Sequence, residues 1–215
     1  MSHHGPVSDG GAVAHVASYG DRAVLVEVAD PADVPGLRAV LAAAPLAGQV
    51  DLVPAARTVL VVLDRPPTEL DLAVLRRLVP GERAGGAPAA TVDLPVVFDG
   101  PDLAEVARFA GRSEDDVVAA LTAVRFVVAF GGFAPGFGYL AGLPPALHVP
   151  RRETPRTRVP AGAVALAGPY AGVYPRASPG GWQLVGRTDA VLFDVDRDPP
   201  ALLAPGTAVR FRAGG

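Results

Sequence analysis

Glycine and proline dominate the stretch from Gly131 to Thr188 and restrict its fold more than any other feature of the chain. The stretch contains eleven glycines and nine prolines, and it shows no helical periodicity. Proline disrupts helices and glycine favours turns, so short strands separated by turns are the expected structure. The β-prone runs are Ala163–Ala167, Gly172–Tyr174, Trp182–Val185 and Thr207–Arg212. This pattern predicts an all-β barrel or sandwich.

The first 90 residues show a different pattern, in which strand-like and helix-like segments alternate. Two β-prone runs flank the turn signal Gly20-Asp21, and Thr58–Leu63 is an apolar run typical of a buried strand. Apolar residues recur with helical spacing in Val34–Ala44 and Leu70–Val79. The predicted element order is β-β-α-β-β-α. A Gly/Ala/Pro-rich linker over Gly81–Ala90 then separates two predicted domains, 1–85 and 90–215.

Two helices are predicted between the linker and the glycine-rich stretch. Thr91–Phe98 has the pattern of a strand, after which Pro101 starts a helix that Gly111 ends. The run from Ser113 to Asp116 resembles a capping box and predicts a second helix. The next strand is predicted at Arg125–Phe130, and the fold class is therefore α+β.

Missing residue types exclude several kinds of chemistry. The chain has no cysteine, which excludes disulfides and thiolate catalysis, and all 19 of its basic residues are arginine. Without lysine there is no P-loop, no Schiff base and no site for biotin attachment. Two of the four histidines, His3 and His4, lie in a polar N-terminal tail, and His15 and His148 are far apart in sequence. We therefore predict no metal site.

No apolar run is long enough to span a membrane, and the polar segment Met1–Gly11 lacks the apolar core of a signal peptide. These features predict a soluble, cytoplasmic protein.

Positive charge is concentrated in the glycine-rich stretch. Six arginines against Glu153 alone give 6 − 1 = +5, in a chain whose net charge is −3. Guanidinium groups pair well with carboxylates and phosphates, which favours an anion-binding surface. A set of solvated surface arginines remains an equal alternative. The acidic overall charge argues against a nucleic-acid partner.

Two short motifs in the same stretch favour structural roles. Gly136–Ala141 matches the form G-x-G-x-x-A, but Pro144-Pro145 follows at once and prevents the helix that a dinucleotide site needs. Ser178 is followed by Pro179, which cannot donate the backbone N–H of a nucleophile elbow. We interpret His148 as a structural residue. Trp182, the only tryptophan, is either a core residue or a platform for a ligand, and the core is favoured.

Longer motifs carry a resemblance to a known family. Gly131–Leu140 reads GGFAPGFGYL and resembles the G-F-x-P-G-F-x-Y-L signature of the KipI-like proteins, also called allophanate hydrolase subunit 1. Further segments are similar to the same family over nearly the whole chain: Pro150–Arg156, Val159–Gly162, Tyr174–Trp182, Gly186–Thr188, Leu192–Asp194 and Arg197–Pro200. The opening of the chain, around Tyr19-Gly20-Asp21, matches more weakly.

The resemblance implies a small N-terminal α/β (ferredoxin-like) domain followed by a cyclophilin-like β-barrel domain. It also implies the B-type subunit of a 5-oxoprolinase, which opens 5-oxo-L-proline to L-glutamate at the expense of ATP. The implied partners are a C-type subunit, similar to allophanate hydrolase subunit 2, and an A-type subunit. Activity of this chain alone is not expected. The alternatives are an inhibitor of a sensor histidine kinase and a carboxyltransferase-type subunit of allophanate hydrolase or urea carboxylase.

The candidate site residues come from the arginine-rich motifs. We predict Arg152, Arg156 and Tyr139 as catalytic residues, because ATP-driven lactam opening needs positive charge around phosphate. The predicted contacts to substrate or anion are Arg151, Arg187, Gly136, Ser178, Gly180 and Gly181. One departure concerns Leu121, which stands where the family often has a histidine. An acid–base role for that histidine is then lost or falls to a partner.

Overall fold

The computed structural model describes residues 13–81 and 91–214. The chain divides into two compact units, Met1–Gly86 and Ala87–Gly215. The predicted linker lies outside the described residues, apart from Gly81, and so do His3 and His4. We retain the domain bounds 1–85 and 90–215 as a proposal. Among the described helices, none combines the length and apolarity required to cross a membrane.

The first unit is an antiparallel sheet with two helices. Its elements are β1 (Val13–Tyr19), β2 (Ala23–Val28), α1 (Val34–Ala43), β3 (Gln49–Pro54), β4 (Thr58–Leu63) and α2 (Glu69–Arg76). The strand order is β1-β2-β4-β3, and each neighbouring pair is antiparallel. The predicted order β-β-α-β-β-α is confirmed, whereas the ferredoxin-like assignment stays a prediction.

Alternating side chains of β2 and β4 form the core of the first unit. Val24 and Val26 on β2 and Val59 and Val61 on β4 are fully buried, and Leu37 of α1 packs in the same cluster. This alternation follows from the two-residue period of a strand with one buried face. Helices α1 and α2 supply the opposing apolar surface.

The second unit is built on a seven-stranded sheet. Its elements are β5 (Thr91–Val96), α3 (Leu103–Ala110), α4 (Glu114–Ala123), β6 (Phe126–Gly131), β7 (Gly138–Ala141), β8 (Arg156–Val159), β9 (Ala163–Ala167), β10 (Tyr170–Val173), β11 (Ser178–Gly180), β12 (Gln183–Arg187) and β13 (Ala208–Ala213). The order in the large sheet is β12-β9-β10-β7-β6-β13-β5, and β11 pairs with β8 separately. Only the β13–β5 pair is parallel among these described strands.

The two ends of the large sheet meet, so the sheet is nearly closed into a barrel. Val97, just after β5, and Arg187, at the end of β12, exchange backbone hydrogen bonds of 2.9 and 2.8 Å. Closure satisfies groups that an open edge strand would leave unpaired. The coarse prediction of a mixed fold with a barrel-like sheet is therefore confirmed, and the cyclophilin-like assignment stays a prediction.

Helices α3 and α4 pack their apolar faces into the barrel core. Ser113 and Asp116 form the predicted capping box, in which each side chain accepts from the other residue's backbone N–H. Gly111 ends α3 in the left-handed region, at φ 61°, as predicted. Leu121 is fully buried in the core that contains Phe126 and Phe211. This position therefore contributes packing and no acid or base.

Candidate functional site

A small cleft in the second unit brings together several residues of the family motifs. It has a volume of about 110 Å³ and is lined by Phe133, Phe137, Tyr139, Arg151, Tyr174, Gly180, Gly181 and Trp182. We call it the aromatic cleft. A larger and more open depression of about 360 Å³ lies in the first unit, but it contains no predicted site residue. The aromatic cleft is therefore the candidate site.

Phe137 organises the wall of the aromatic cleft. Its ring meets those of Phe133, Tyr139, Tyr174 and Trp182 edge-on, with centroid distances of 5.3, 5.1, 5.4 and 5.6 Å. Edge-to-face pairs of this kind each contribute about 0.5–1.5 kcal/mol beyond burial. Phe137, Tyr174 and Trp182 are almost fully buried. The wall is thus held in place before any ligand arrives.

Phe133 stands at the mouth of the cleft in an unusual backbone conformation. Its φ of 65° lies in the left-handed region, which is costly for a bulky residue other than glycine. The ring is 58% exposed even though it contacts Phe137. The Ala134 N–H donates to the Gly132 carbonyl at 2.6 Å, which holds this tight turn. Strain that presents an apolar ring to solvent is typical of a functional loop.

Glycine at position 180 lets the chain pass close to Tyr174. A Cβ atom at Gly180 would overlap the Tyr174 hydroxyl oxygen, whereas one at Gly181 would make ordinary contacts with Pro155 at 3.6 Å. Burial raises the pKa of Tyr174, and this effect outweighs the lowering by the positive charge of nearby Arg151. The phenol is therefore neutral at physiological pH. Arg151 is the charged group of the cleft.

A buried carboxylate holds the segment that carries Arg151. Asp102, at the start of α3, is only 4% exposed. Its Oδ1 accepts from Arg152 Nη1 at 2.9 Å and from Arg156 Nη2 at 2.8 Å, and its Oδ2 accepts from the Leu184 N–H at 2.7 Å. One acidic side chain thereby joins α3, β8, β12 and the segment before β8. We call these three side chains, Asp102, Arg152 and Arg156, the clamp.

The charges within the clamp are unbalanced. Burial would raise the pKa of Asp102, but the hydrogen bond from Arg156, the bond from the Leu184 N–H and the two guanidinium charges together lower it. Asp102 is therefore ionised and neutralises one of its two arginines. Within the described part of the chain, the buried atoms Arg152 Nε and Arg156 Nη1 have no hydrogen-bond partner. The three clamp side chains by themselves therefore carry one net positive charge, and the positive charge of Arg152 also helps to lower the pKa of nearby Glu105.

Hydrogen bonds to backbone atoms fix the residues on either side of Arg151. The Arg152 N–H donates to the Gly181 carbonyl at 2.8 Å, and Gln183 Nε2 donates to the Pro150 carbonyl at 3.2 Å. Arg151 itself is exposed, but its neighbours in sequence are tied to the β11–β12 region. Its side chain is therefore presented to the cleft from a fixed backbone.

The structure separates the predicted site residues into several environments. Tyr139, Arg151, Gly180 and Gly181 line the aromatic cleft, whereas Arg152 and Arg156 belong to the clamp. Arg187 pairs with Asp99 on the surface at 2.9 Å. The Ser178 hydroxyl donates to the Arg176 carbonyl at 3.4 Å. Gly136, at φ 82°, packs against Phe193. The predicted arginines therefore do not all surround one anion.

Sequence reasoning missed Asp102. The residue stands at the start of a helix, where an acidic side chain is common and attracts no notice. Its partners lie 50 and 54 positions further along the chain. The excess of arginine over acid between residues 131 and 188 was the available signal, because buried guanidinium groups need a carboxylate from elsewhere. The Nε2 atom of His148, which we predicted to be structural, lies 3.0 Å from the Leu143 carbonyl oxygen.

The cleft lining indicates the class of protein. Its eight described residues include an arginine and two tyrosines but no serine, histidine or carboxylate that could form a nucleophile–base pair. Within the described lining, the cleft combines an aromatic wall with a single guanidinium group, whose N–H donors can pair with an anion. The chain belongs to the family described as carboxyltransferase domain, subdomain C and D, whose family model matches residues 14–203.

Comparisons with known proteins agree with the resemblance of the motifs. The chain is 47% identical to the B-type subunit of the 5-oxoprolinase of Escherichia coli O157:H7 over 168 residues, which are 75% of this chain and 77% of that protein. The crystal structure of TTHA0988 is similar at 37% identity and a TM-score of 0.74, over 90% of this chain and 40% of that one. The family predicted from the motifs is thereby confirmed.

A more distant likeness concerns the fold alone. The Kluyveromyces lactis urea carboxylase is 23% identical, with a TM-score of 0.73, over 93% of this chain and 22% of that one. The chain thus spans less than half of each of these two solved chains. The remaining parts of those two solved chains lie outside the compared residues.

Proposed function

We propose that this chain is the B-type subunit of an ATP-dependent 5-oxoprolinase, which hydrolyses 5-oxo-L-proline to L-glutamate together with other subunits. The observation that carries the proposal is the 47% identity to a B-type 5-oxoprolinase subunit over most of both chains. Proteins of the same name from Haemophilus influenzae and Bacillus subtilis are 43% and 44% identical over shorter stretches. The main functional prediction agrees with these names, and the two alternatives are not favoured by them.

The cleft chemistry supports a role within a complex. The name of the relatives describes one subunit among several, and the described residues that line the aromatic cleft include no nucleophile–base pair. We propose a C-type subunit, similar to allophanate hydrolase subunit 2, as the main partner and an A-type subunit as a further one. The active centre then receives its base, or its water-positioning group, from a partner.

The aromatic cleft does not fit ATP. Its volume is about 110 Å³, whereas pockets for drug-sized ligands are roughly 300–1,000 Å³. The chain has no lysine and hence no P-loop. The nucleotide of the proposed reaction therefore contacts another surface of the complex, and the cleft is left to the smaller reactant.

The predicted site residues keep proposed roles that follow from their positions. Tyr139 and Arg151 line the cleft and are the proposed contacts to substrate, beside the backbone of Gly180 and Gly181. Arg152 and Arg156, predicted as catalytic, act through Asp102 as positioning residues in this proposal. Gly136 and Ser178 shape the adjoining loops. Arg187 pairs with Asp99 on the protein surface, and we propose no contact between Arg187 and a ligand in the cleft.

Reconstitution tests the proposed function. The chain would be purified with candidate C-type and A-type subunits, and glutamate and ADP would be measured after addition of 5-oxoproline and ATP. We expect both products only when this chain is present. Allophanate in place of 5-oxoproline, and autophosphorylation of a sensor histidine kinase with this chain alone, serve as comparison assays. Activity in either of them without glutamate release from 5-oxoproline would overturn the proposal.

A further inference from the structure

We infer that the aromatic cleft binds a small carboxylate that carries one compact flat ring, with the Arg151 guanidinium holding the carboxylate. For the identity of the ligand as 5-oxoproline the inference rests on the proposed function. The binding class itself follows from the size, lining and charge of the cleft.

The size of the cleft limits the ligand to one small ring. An apolar cavity of about 150 Å³ accommodates benzene, so a cleft of about 110 Å³ encloses no more than one small ring, and a short substituent on that ring would extend through the open side of the cleft. Five of its eight lining residues are aromatic, and four of these rings meet the fifth, Phe137, in a fixed edge-to-face arrangement. Flat apolar surface on the ligand would replace water against this wall.

The charge of the cleft selects a monoanion. Arg151 is the only charged residue among those that line it, and its fork of N–H donors matches the two oxygens of a carboxylate. Counted alone, the three clamp side chains carry one net positive charge, because Asp102 neutralises only one of Arg152 and Arg156, and the carboxylate of nearby Glu105 offsets part of it. No acidic side chain among the described lining residues opposes the ligand. An uncharged ligand of equal shape would lose this interaction.

The clamp gives Arg151 its position. Arg152 and Arg156 lie one and five positions after Arg151 in the chain. Their side chains bind Asp102, which lies at the start of α3 and also accepts a hydrogen bond from the Leu184 N–H. The Arg152 backbone is tied to Gly181, which is itself part of the cleft. Ligand contacts from Arg151, Gly181 and Trp182 therefore share one rigid support, which lowers the entropy that binding must overcome.

The single tryptophan of the chain makes the inference directly measurable. Trp182 lines the cleft, and no other tryptophan contributes to emission. The full-length chain would be titrated with 5-oxoproline, with its neutral primary amide and with 2-pyrrolidinone, following tryptophan fluorescence and heat by calorimetry. We expect saturable binding of 5-oxoproline and about 10- to 100-fold weaker binding of both uncharged probes, the factor that one charge-assisted hydrogen bond supplies.

Two arginine variants distinguish binding by Arg151 in the cleft from a general effect of positive charge on the surface. Arg151→Met should weaken 5-oxoproline binding about 10- to 100-fold, whereas Arg158→Met, an exposed change on nearby β8, should leave it unchanged. Equal affinity for 5-oxoproline and its amide, equal effects of the two variants, or no heat and no fluorescence change up to tens of millimolar would each overturn the inference.

The inference and the proposed function fail in different ways. If the reconstituted complex releases glutamate equally well with Arg151→Met, the cleft assignment is wrong while the proposed function stands. If the complex is inactive on 5-oxoproline but the chain binds this and other small cyclic carboxylates through Arg151, the proposed function is wrong while the binding class stands.

Discussion

Replacing Asp102 by asparagine should destabilise the second unit strongly, because one carboxylate accepts three hydrogen bonds there. Asparagine keeps a single acceptor oxygen, and its amide group would face a guanidinium or the Leu184 N–H, both of which are donors. Hydrogen bonds to a charged group contribute about 1.5–3 kcal/mol each, and removing one partner of a buried ion pair costs about 3–5 kcal/mol.

Partial exposure of the two arginines reduces this cost. Their side chains are 36% and 23% exposed, whereas that of Asp102 is 5% exposed, so water can take over part of their hydration. We therefore expect Asp102→Asn to lower the free energy of unfolding by about 2–4 kcal/mol. The assay is urea denaturation followed by the fluorescence of Trp182, which lies in the same unit.

A matched control stands three positions earlier in the chain. Asp99 also pairs with an arginine, Arg187, but these side chains are 48% and 55% exposed. Asp99→Asn should therefore cost less than about 1 kcal/mol. If the two variants lowered the free energy of unfolding by the same small amount, the reasoning that burial makes the clamp structural would be refuted.

Three further predictions concern pH, glycine and the first unit. Because the pKa of Asp102 is lowered in the folded state, the stabilisation by its carboxylate is present above the ordinary pKa of 3.8 and is lost as the pH falls below that value. The difference in unfolding free energy between wild type and Asp102→Asn should therefore shrink as the pH falls below 3.8, and a constant difference would contradict this. Gly180→Ala should destabilise the second unit by about 1–3 kcal/mol through overlap with Tyr174, as measured by the same denaturation assay, and Gly181→Ala should not. In the first unit, Asp71 caps α2 and accepts from Arg65 at 2.7 and 3.0 Å, and the Arg65 side chain is 33% exposed. Asp71→Asn should therefore cost about 1–3 kcal/mol in the thermal unfolding of that unit, against less than about 1 kcal/mol for exposed Glu69→Gln, and similar effects of the two changes would argue against a stabilising role of this partly buried pair.

Local signals in the sequence predicted much of the secondary structure. The capping box at Ser113 and Asp116 and the helix end at Gly111 depend on residues close together in the chain, so they can be recognised without a tertiary structure. The apolar run Thr58–Leu63 became a strand with the predicted bounds. The density of glycine and proline after residue 131 correctly indicated short strands and turns.

The arrangement of the site was less accessible, because it depends on contacts across long stretches of chain. Arg151 and Arg152 are adjacent in sequence and look equivalent, yet one faces the cleft and the other pairs with Asp102. Which of them meets a buried carboxylate is decided by the packing of α3 against β12, which no local pattern encodes. The barrel closure between Val97 and Arg187 is equally non-local.

We propose that this chain supplies the cleft in which a 5-oxoprolinase holds its small carboxylate substrate. The most direct measurement is the rate of glutamate release by the reconstituted complex at subsaturating 5-oxoproline with ATP, for Arg151→Met and Arg158→Met. The account predicts a rate about 10- to 100-fold below wild type for Arg151→Met and an unchanged rate for Arg158→Met. Wild-type rates for both variants would contradict it.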